Sequence, residues 1–495
     1  MAQLVWFRSD LRAHDNPALF TACQRAQQEG AEVIACFLRP LEQWQSHDWR
    51  QNRMRYTERC LLDLKEELDA LHIPLICLDV ATFAGQIPAL LQLCQRLNCH
   101  QIFANEEPEL HERQRDQQLI AQAEPAGIHC QLFHDQSLLP LGSVLKNDGT
   151  PYRVYTPFRK QAQQMIAQQP VQTFPSPAPV ISDAQQSLQP KIESLSLAQS
   201  DGVIFQPQNY SDDPIQQRWP ATEKEAFHQL ELFCGQPINR YKTQRDFPAD
   251  AKGTSLLSPM LATGKLSVKS CWRAAEQIRL SDPAAAESAS TWQGELLWRD
   301  FYRHLLVLYP ELSRNQPFKK ETSNIQWRNA PEELQRWQEG KTGFPLVDAA
   351  MRQLKETGWM HNRLRMLTAV FLSKYLLIDW HEGERWFMQH LVDADLASNN
   401  GGWQWAASTG TDAVPYFRLL SPYRQAERFD AQGEFIARFV PELAKLPAKQ
   451  RIQPKGYVQG YPNPMADLKE GKERMMAAFK AVKPVPGDHP IKTPS

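Results

Sequence analysis

Short apolar runs alternate with amphipathic stretches over the first 135 residues of the chain. Leucines at helical spacing separate these runs, at 52–71 and again at 87–97. Such alternation is typical of βαβ units, in which crossover helices join parallel strands. The pattern predicts an α/β domain over 1–135 built on a doubly wound parallel sheet, with candidate strands at 4–7, 33–38, 75–80, 101–104 and 130–133.

The second half of the chain has a different pattern. After Glu223, long amphipathic segments carry leucine and tryptophan at helix spacing, which predicts an all-α domain over 225–480. The residues in between, above all 168–220, are rich in Pro, Gln, Ser and Asp and show little periodicity, so 136–224 is predicted to be an interdomain connector. The tail at 481–495 is predicted to be frayed.

Composition narrows the class of protein. A chain of 495 residues is expected to form two or more domains, and a net charge of -1 excludes a polycation that coats nucleic acid indiscriminately. The nine cysteines are odd in number and include no Cys-x-x-Cys pair, which predicts reduced thiols and no zinc or other metal site. No apolar run reaches membrane-spanning length, so we expect a cytoplasmic protein without membrane contact.

Two nucleotide-binding motifs can be dismissed. No Gly-x-Gly-x-x-Gly follows the first strand, so the dinucleotide fingerprint is absent. The segment 339–343 resembles the end of a P-loop, but Gln335 stands where the leading glycine is required and no strand precedes it. Gly340 and Gly343 are therefore predicted to be turn residues before a helix that begins near Pro345.

The stretch 393–412 combines carboxylates, amides, a double glycine and two indoles. Polar side chains can bind the edge of a flat heteroaromatic ring, and glycines let the backbone approach it. The alternative is a helix-to-helix turn in which Asn399 and Asn400 cap while Trp403 and Trp405 pack. The stretch alone does not decide between the two.

Three further segments also have two interpretations. The segment 253–258 places hydroxyls at a candidate helix start, which suits either phosphate binding or N-capping by Thr254 or Ser255. The series Trp292, Glu295, Trp298 and Arg299 shares one helical face, which suits either base binding or a core stripe with a Glu295–Arg299 pair. The segment 358–366 packs two arginines, an asparagine and a histidine into an apolar helix, which favours a site for nucleic acid or phosphate over a solvated basic cluster.

Four ordered motifs resemble one family. They are LVWFRSDLR at 4–12, GFPLVDAAMR at 343–352, GWMHNRLR at 358–365 and NNGGWQW at 399–405. Together they resemble the photolyase/cryptochrome family, and within it the class I cyclobutane pyrimidine dimer photolyases of bacterial type. The similarity extends from residue 4 to about 465 and is loosest in the connector.

The resemblance implies an α/β antenna domain and a helical domain that holds one non-covalent FAD. In such enzymes light drives an electron from reduced flavin into a pyrimidine dimer flipped out of UV-damaged DNA. We expect Asp393 to pair with Arg365, and Asn399 to face the flavin N5. The cofactor-binding residues that the resemblance implies are Tyr241, Thr254, Ser255, Leu256, Leu257, Ser258, Trp292, Arg299, Arg365, Asp393, Ala394, Asp395 and Asn399.

The resemblance also implies the residues that act on the lesion. The catalytic set is Glu295, Trp298, Asn362, Arg363, Met366 and Asn399. The DNA-binding set is Arg245, Glu295, Trp298, Asn362, Arg363, Trp405 and Gln425. Oxidised flavin would be re-reduced by electron transfer through Trp403, Trp380 and Trp327, with Trp403 nearest the flavin and Trp327 nearest solvent.

Two alternatives remain within the family. A blue-light-sensing cryptochrome would lack repair activity, and a (6-4) photolyase would carry paired histidines where this chain has Asn362 and Met366. His47 and Glu109 match an antenna site for 5,10-methenyltetrahydrofolate, although Ser313-Arg314 replaces the Lys or Cys expected there. We expect a monomer.

Overall fold

A computed structural model describes residues 2–181, 185, 188, 192, 202–413 and 415–482. The first half contains a six-stranded sheet in the order β5-β4-β1-β2-β3-β6. The five strands from β1 to β5 pair in parallel, and β6 is antiparallel to β3. The strands are β1 Ala2–Phe7, β2 Glu32–Pro40, β3 Leu75–Val80, β4 Cys99–Asn105, β5 His129–Phe133 and β6 Val203–Ile204.

All five predicted strands are confirmed, whereas β6 was missed. A strand of two residues at the sheet edge has no room for a periodic pattern, so the sequence carries no signal for it. Alternation along β1 sends Val5 and Phe7 into one apolar cluster and Leu4 and Trp6 into another on the opposite face. Helices cover both faces, as in a doubly wound sheet: α1 Pro17–Glu29, α2 Leu41–Ser46, α3 Gln51–Ala70, α4 Phe83–Leu97 and α5 Leu110–Ala123.

The second half is helical, as predicted. Two large apolar clusters hold it together, one centred on residues 337–461 and one that joins residues 138–312. The α-helices are α6 Tyr155–Gln168, α7 Pro214–Gln217, α8 Glu223–Gly235, α9 Tyr241–Gln244, α10 Ser258–Thr263, α11 Val268–Ser281, α12 Ala286–Leu308, α13 Pro331–Glu339, α14 Pro345–Thr357, α15 Asn362–Val370, α16 Trp380–His390, α17 Leu396–Ala407, α18 Pro422–Phe429, α19 Glu434–Phe439, α20 Ala448–Ile452 and α21 Leu468–Ala481. A π-helical turn, Phe371–Tyr375, follows α15.

The stretch predicted as a connector contains α6, which packs into the helical core through Tyr155, Phe158, Ala162 and Ile166. Part of the connector and the tail residues 483–495 lie outside the described residues. The predicted turn before α14 is confirmed, because Gly340 ends α13 with a φ of 66° and Gly343 has a φ of 80°.

Candidate functional site

Helix α12 carries the predicted series on one face. Trp292 is buried, while Glu295 and Trp298 are half-buried. The alternative Glu295–Arg299 pair is wrong: Glu295 accepts from the Arg245 guanidinium, and Arg299 donates to the Gln136 and Leu261 carbonyls. Burial raises the pKa of Glu295, and the charge of Arg245 opposes that rise.

Two consecutive residues, Arg245 and Asp246, form ion pairs with the predicted DNA-binding residues on α12 and α15. Arg245 binds Glu295 of α12, and Asp246 binds Arg363 of α15 at 2.8 Å. Arg363 also lies 3.4 Å from the Gln425 amide oxygen. One polar network therefore connects residues that are more than a hundred positions apart. Asp246 lies in no motif and on no predicted helix face, so the sequence reasoning missed it.

Helix α15 begins later than the predicted basic segment. His361 accepts from the Arg363 amide as N-cap, so 358–360 precede the helix. The predicted pairing of Asp393 with Arg365 is present, with Nη2 to Oδ distances of 2.7 and 3.0 Å. Asn362 and Met366 lie one turn apart on α15, as expected for helical spacing.

Asp395 holds a second buried ion pair. Its carboxylate accepts from Arg303 at 2.8 Å and from the Ser398 amide at 2.9 Å, so it also caps α17. Burial alone would raise the pKa of Asp395, but Arg303 and Arg299 outweigh burial and lower it to about 2. Asp395 is thus a fixed anion at neutral pH. Arg303, one turn beyond Arg299, was missed by the sequence reasoning although their spacing places both on one face.

The stretch 393–412 is not a helix-to-helix turn, because α17 runs through most of it. Gly401 lies inside α17, and a Cβ there would overlap the Tyr302 ring, so the glycine lets α17 approach α12. A Cβ on Gly402 would meet no atom within 4 Å. Asn399, Gly402 and Trp405 recur every third residue, so this face presents an amide, exposed backbone and an indole together.

Residues 254–257 form a loop before α10, and Ser258 is the first residue of that helix. Leu257 is the N-cap of α10 and makes no side-chain capping bond, so the N-capping role considered for Thr254 or Ser255 is wrong. Leu256 has a left-handed φ of 55°, and Leu257 is right-handed with φ −89° and ψ −3°. Alternation of this kind turns successive N–H groups into one concave surface that suits an anion. Ser258 accepts from the Trp359 indole at 3.1 Å, which ties the loop to the segment before α15.

Two of the remaining predicted cofactor residues are buried in the helical half. Tyr241 is buried edge-on against Phe233, and Ala394 is fully buried. Among the described residues, the buried Arg303 Nε and His361 Nε2 have no hydrogen-bond partner in the protein. Unpaired buried donors call for a ligand or water. The anion-binding loop and these donors therefore fit a group with phosphates and a polar ring.

The three predicted electron-transfer tryptophans share one core. Trp380 and Trp403 are buried in it, and Trp327 packs at its edge, half-buried against Phe479. Gly383, one turn along α16 from Trp380, lies beneath the Trp403 ring, and a Cβ there would overlap that ring. Trp327 is the most exposed of the three, which fits its predicted place nearest solvent, and the order of electron transfer stays a prediction.

His47 and Glu109 line a cavity of about 300 Å³ between the two halves of the chain. Burial and the neighbouring His111 lower the pKa of His47 to about 4, and burial next to Glu107 raises that of Glu109 to about 7. Ser313 lies in the lining where the Lys or Cys was expected. The sequence reasoning missed the helical-half residues of this cavity, which include Asn315, His381, Glu384, Arg385, Met388 and Leu396.

Within the described ranges, no three His, Cys, Asp or Glu side chains are placed to hold a metal ion. Nor does that part of the chain contain a helix long and apolar enough to cross a bilayer.

Comparison with known proteins identifies the family. Residues 3–178 match the family described as DNA photolyase, and residues 292–481 match the FAD binding domain of DNA photolyase. The chain is 41% identical over 489 residues to a deoxyribodipyrimidine photo-lyase of Escherichia coli, covering 97% of this chain and 98% of that one. Among solved structures it is similar to a bacterial class III photolyase from Agrobacterium tumefaciens (TM-score 0.83, 31% identity, 97% of each chain). It is also similar to an archaeal photolyase from Sulfolobus tokodaii with two FAD molecules (TM-score 0.75, 26% identity, 97% of this chain and 100% of that one). Both halves of the chain match the two photolyase domains in the same order, and the relatives are similar along nearly its whole length. This chain therefore belongs to the DNA photolyase family.

Proposed function

We propose that this protein is a deoxyribodipyrimidine photo-lyase that uses light to split cyclobutane pyrimidine dimers in UV-damaged DNA. The observation that carries the proposal is the polar network at Arg245, Glu295, Asp246 and Arg363 beside half-buried Trp298. It offers hydrogen bonds, a stacking surface and cations in one place, which is what binding a flipped-out dimer requires. A relative matched along 97% of this chain carries that name.

FAD, when bound, supplies the electron that a photoexcited reduced flavin donates to the dimer. We propose that one FAD is held non-covalently in the helical half, with its phosphates at the 254–258 loop. The Asp393–Arg365 and Asp395–Arg303 pairs fix the charge at the ring edge. The Asn399 amide on α17 can donate or accept a hydrogen bond, so it suits a ring nitrogen whose protonation changes with redox state.

The lesion-pocket residues bind and orient the dimer. Flipping a damaged, poorly paired step out of the duplex costs less free energy than flipping an intact one. This difference selects lesions before any bond breaks. Trp298 and Trp405 offer stacking surfaces, and the Glu295 carboxyl group, which accepts from Arg245 in the free protein, can bind a base edge. Asn362 and Met366 cannot act as imidazole acids, which favours cyclobutane dimers over (6-4) lesions.

We propose that Trp403, Trp380 and Trp327 carry electrons inward when the bound flavin is oxidised. Their shared core, with the least buried tryptophan at its edge, supports a path from solvent to the flavin. Loss of photoreduction in a Trp380→Phe variant, with binding of dimer-containing DNA retained, would test the path.

We propose 5,10-methenyltetrahydrofolate as the antenna, bound at the cavity that His47 and Glu109 line. The Sulfolobus tokodaii photolyase contains two FAD molecules, so a second flavin is the alternative occupant. Acid release of the chromophores and their absorption spectra distinguish the two. A folate band supports the proposal, and two equivalents of flavin per chain contradict it.

We further propose a cytoplasmic monomer; the nine free thiols fit a reducing compartment such as the cytoplasm. Light scattering of the purified protein tests the oligomeric state.

The decisive experiment is repair by the chemically reduced protein under blue light. Oligonucleotides with one cyclobutane dimer should recover their thymine absorbance, whereas matched (6-4) oligonucleotides should not. If neither lesion is repaired and light instead recruits a protein partner, the chain is a cryptochrome and the proposal is wrong.

A further inference from the structure

Tyr155, the first residue of α6, stacks on Trp298 of the proposed lesion pocket. The two ring centroids lie 3.7 Å apart at an interplanar angle of 13°. Tyr155 is buried, whereas Trp298 is half-buried. The tyrosine therefore covers one face of the indole. Neighbouring Phe301 and Tyr302 contact Trp298 at centroid distances of 5.8 and 5.7 Å, at angles of 76° and 34°.

Contacts at both ends fix the Tyr155 ring. Its hydroxyl donates to the Gly294 carbonyl of α12, one turn before Trp298. Its amide donates to the Asp412 carboxylate at 3.0 Å, and the Thr411 hydroxyl donates to the Arg153 carbonyl. Thr411 and Asp412 lie just beyond α17, so the chain after the Asn399 helix holds the start of α6.

Asp412, which accepts this bond from Tyr155, has an uncommon backbone conformation. Its φ of 45° lies in the left-handed region, which a residue with a Cβ adopts at some cost in free energy. A residue keeps such a conformation only where contacts with the surrounding structure hold it in place. The bond that its carboxylate accepts from the Tyr155 amide is one of the contacts that hold it.

We propose that Tyr155 is a positioning residue for lesion recognition, an inference that rests on the proposed function. It fixes the plane of Trp298 so that a flipped-out pyrimidine can stack only on the opposite indole face. Base stacking on an aromatic side chain depends on the ring being presented at the right angle and separation. Without the tyrosine, a half-buried indole gains freedom to rotate, and the base must order it on binding.

The test uses three variants of the full-length protein and measures dissociation constants for two oligonucleotides, one with a cyclobutane dimer and one undamaged. Tyr155→Leu removes the stack and should weaken binding of the damaged strand by about three- to tenfold. The same variant should leave the dissociation constant for the undamaged oligonucleotide unchanged, because phosphate contacts dominate the binding of undamaged DNA. Tyr155→Phe keeps the stack and should rescue damaged binding to within about twofold of wild type.

Phe158→Leu is the matched control for lost packing. Phe158 lies on the same helix, buried 5.1 Å from Phe301, but does not stack on Trp298. The Phe158→Leu variant should have a lower melting temperature than wild type but the same preference for damaged over undamaged DNA. If Tyr155→Leu keeps wild-type selectivity, or if Tyr155→Phe loses as much as Tyr155→Leu, the inference is wrong. If wild type itself has no preference for damaged DNA, the proposed function fails instead.

Discussion

Removing the charge of Asp395 tests the electrostatic design of the proposed FAD site. The Asp395 side chain is 13% exposed and pairs with Arg303, whose side chain is 2% exposed. In Asp395→Asn the amide oxygen can still accept from the Ser398 amide and from Arg303, so the cap of α17 is retained. What disappears is the negative charge that compensates two buried guanidinium groups, Arg299 and Arg303.

The magnitude follows from the lowered pKa. The gap between the ordinary 3.8 and about 2 corresponds to about 2 kcal/mol at ~1.4 kcal/mol per pH unit. Removing one partner of a buried pair outright costs ~3–5 kcal/mol, but the retained hydrogen bonds favour the lower figure. Because the folded state holds the carboxylate ionised, the unfolded state binds more protons below pH 4. The stabilisation by Asp395 is therefore complete above its unfolded pKa and is lost as pH falls through about 2.

The assay is urea unfolding of wild type and Asp395→Asn across pH 7 to 3, followed by tryptophan fluorescence. The difference in unfolding free energy should be about 2 kcal/mol at pH 7 and 5 and should shrink below pH 4. Asp467→Asn is the control, since Asp467 caps α21 at the surface by accepting from the Lys469 and Glu470 amides, and it should change little. A difference that is the same at pH 7 and pH 3 would refute the coupling to the arginines.

Three further predictions concern other parts of the site. Gly383→Ala should displace Trp403, destabilise the protein by ~1–3 kcal/mol and slow photoreduction of bound flavin; an unchanged rate would contradict the packing argument. Burial and Lys319 lower the pKa of Lys374 from 10.5 to about 7. The stability of the wild type should therefore rise as the pH is raised between these two values. In thermal unfolding scans, Lys374→Met should be more stable than wild type at pH 7 and should lack that rise. Arg363→Gln should weaken binding of damaged DNA and reduce its salt slope by about 1, and an equal slope would exclude a phosphate contact.

The fold was largely predictable because buried parallel strands are continuous apolar runs. Strands β1 to β4 are mostly buried and show such runs, whereas β5, at the sheet edge, is at most half-buried and was predicted from a short apolar run alone. β6 and α6 were not found, because the composition around them is polar and only tertiary contacts give them their places. Tyr155 and Phe158 look like ordinary residues of a connector until α12 packs against them.

The site was predictable along each helix but not between helices. Helical spacing placed Glu295 and Trp298 on one face of α12, and the family resemblance supplied their roles. The partners of these residues come from distant positions, as in Arg245 with Glu295 and Tyr155 with Trp298. Such pairs depend on how the helices cross, which no local pattern records. The Asp393–Arg365 pair was expected only because the family resemblance implies it.

On the proposed function, the pairing of the two arginines proposed to bind DNA would let a protein of net charge -1 prefer lesions to bulk DNA. Arg245 and Arg363 are already bound to Glu295 and Asp246 in the free protein, so neither offers an undamaged duplex an uncompensated charge. A phosphate alone must compete with those carboxylates and gains little. If a flipped-out dimer takes up the hydrogen bonds of Glu295, Arg245 is freed to contact the DNA backbone, so strong phosphate contact would be conditional on the lesion.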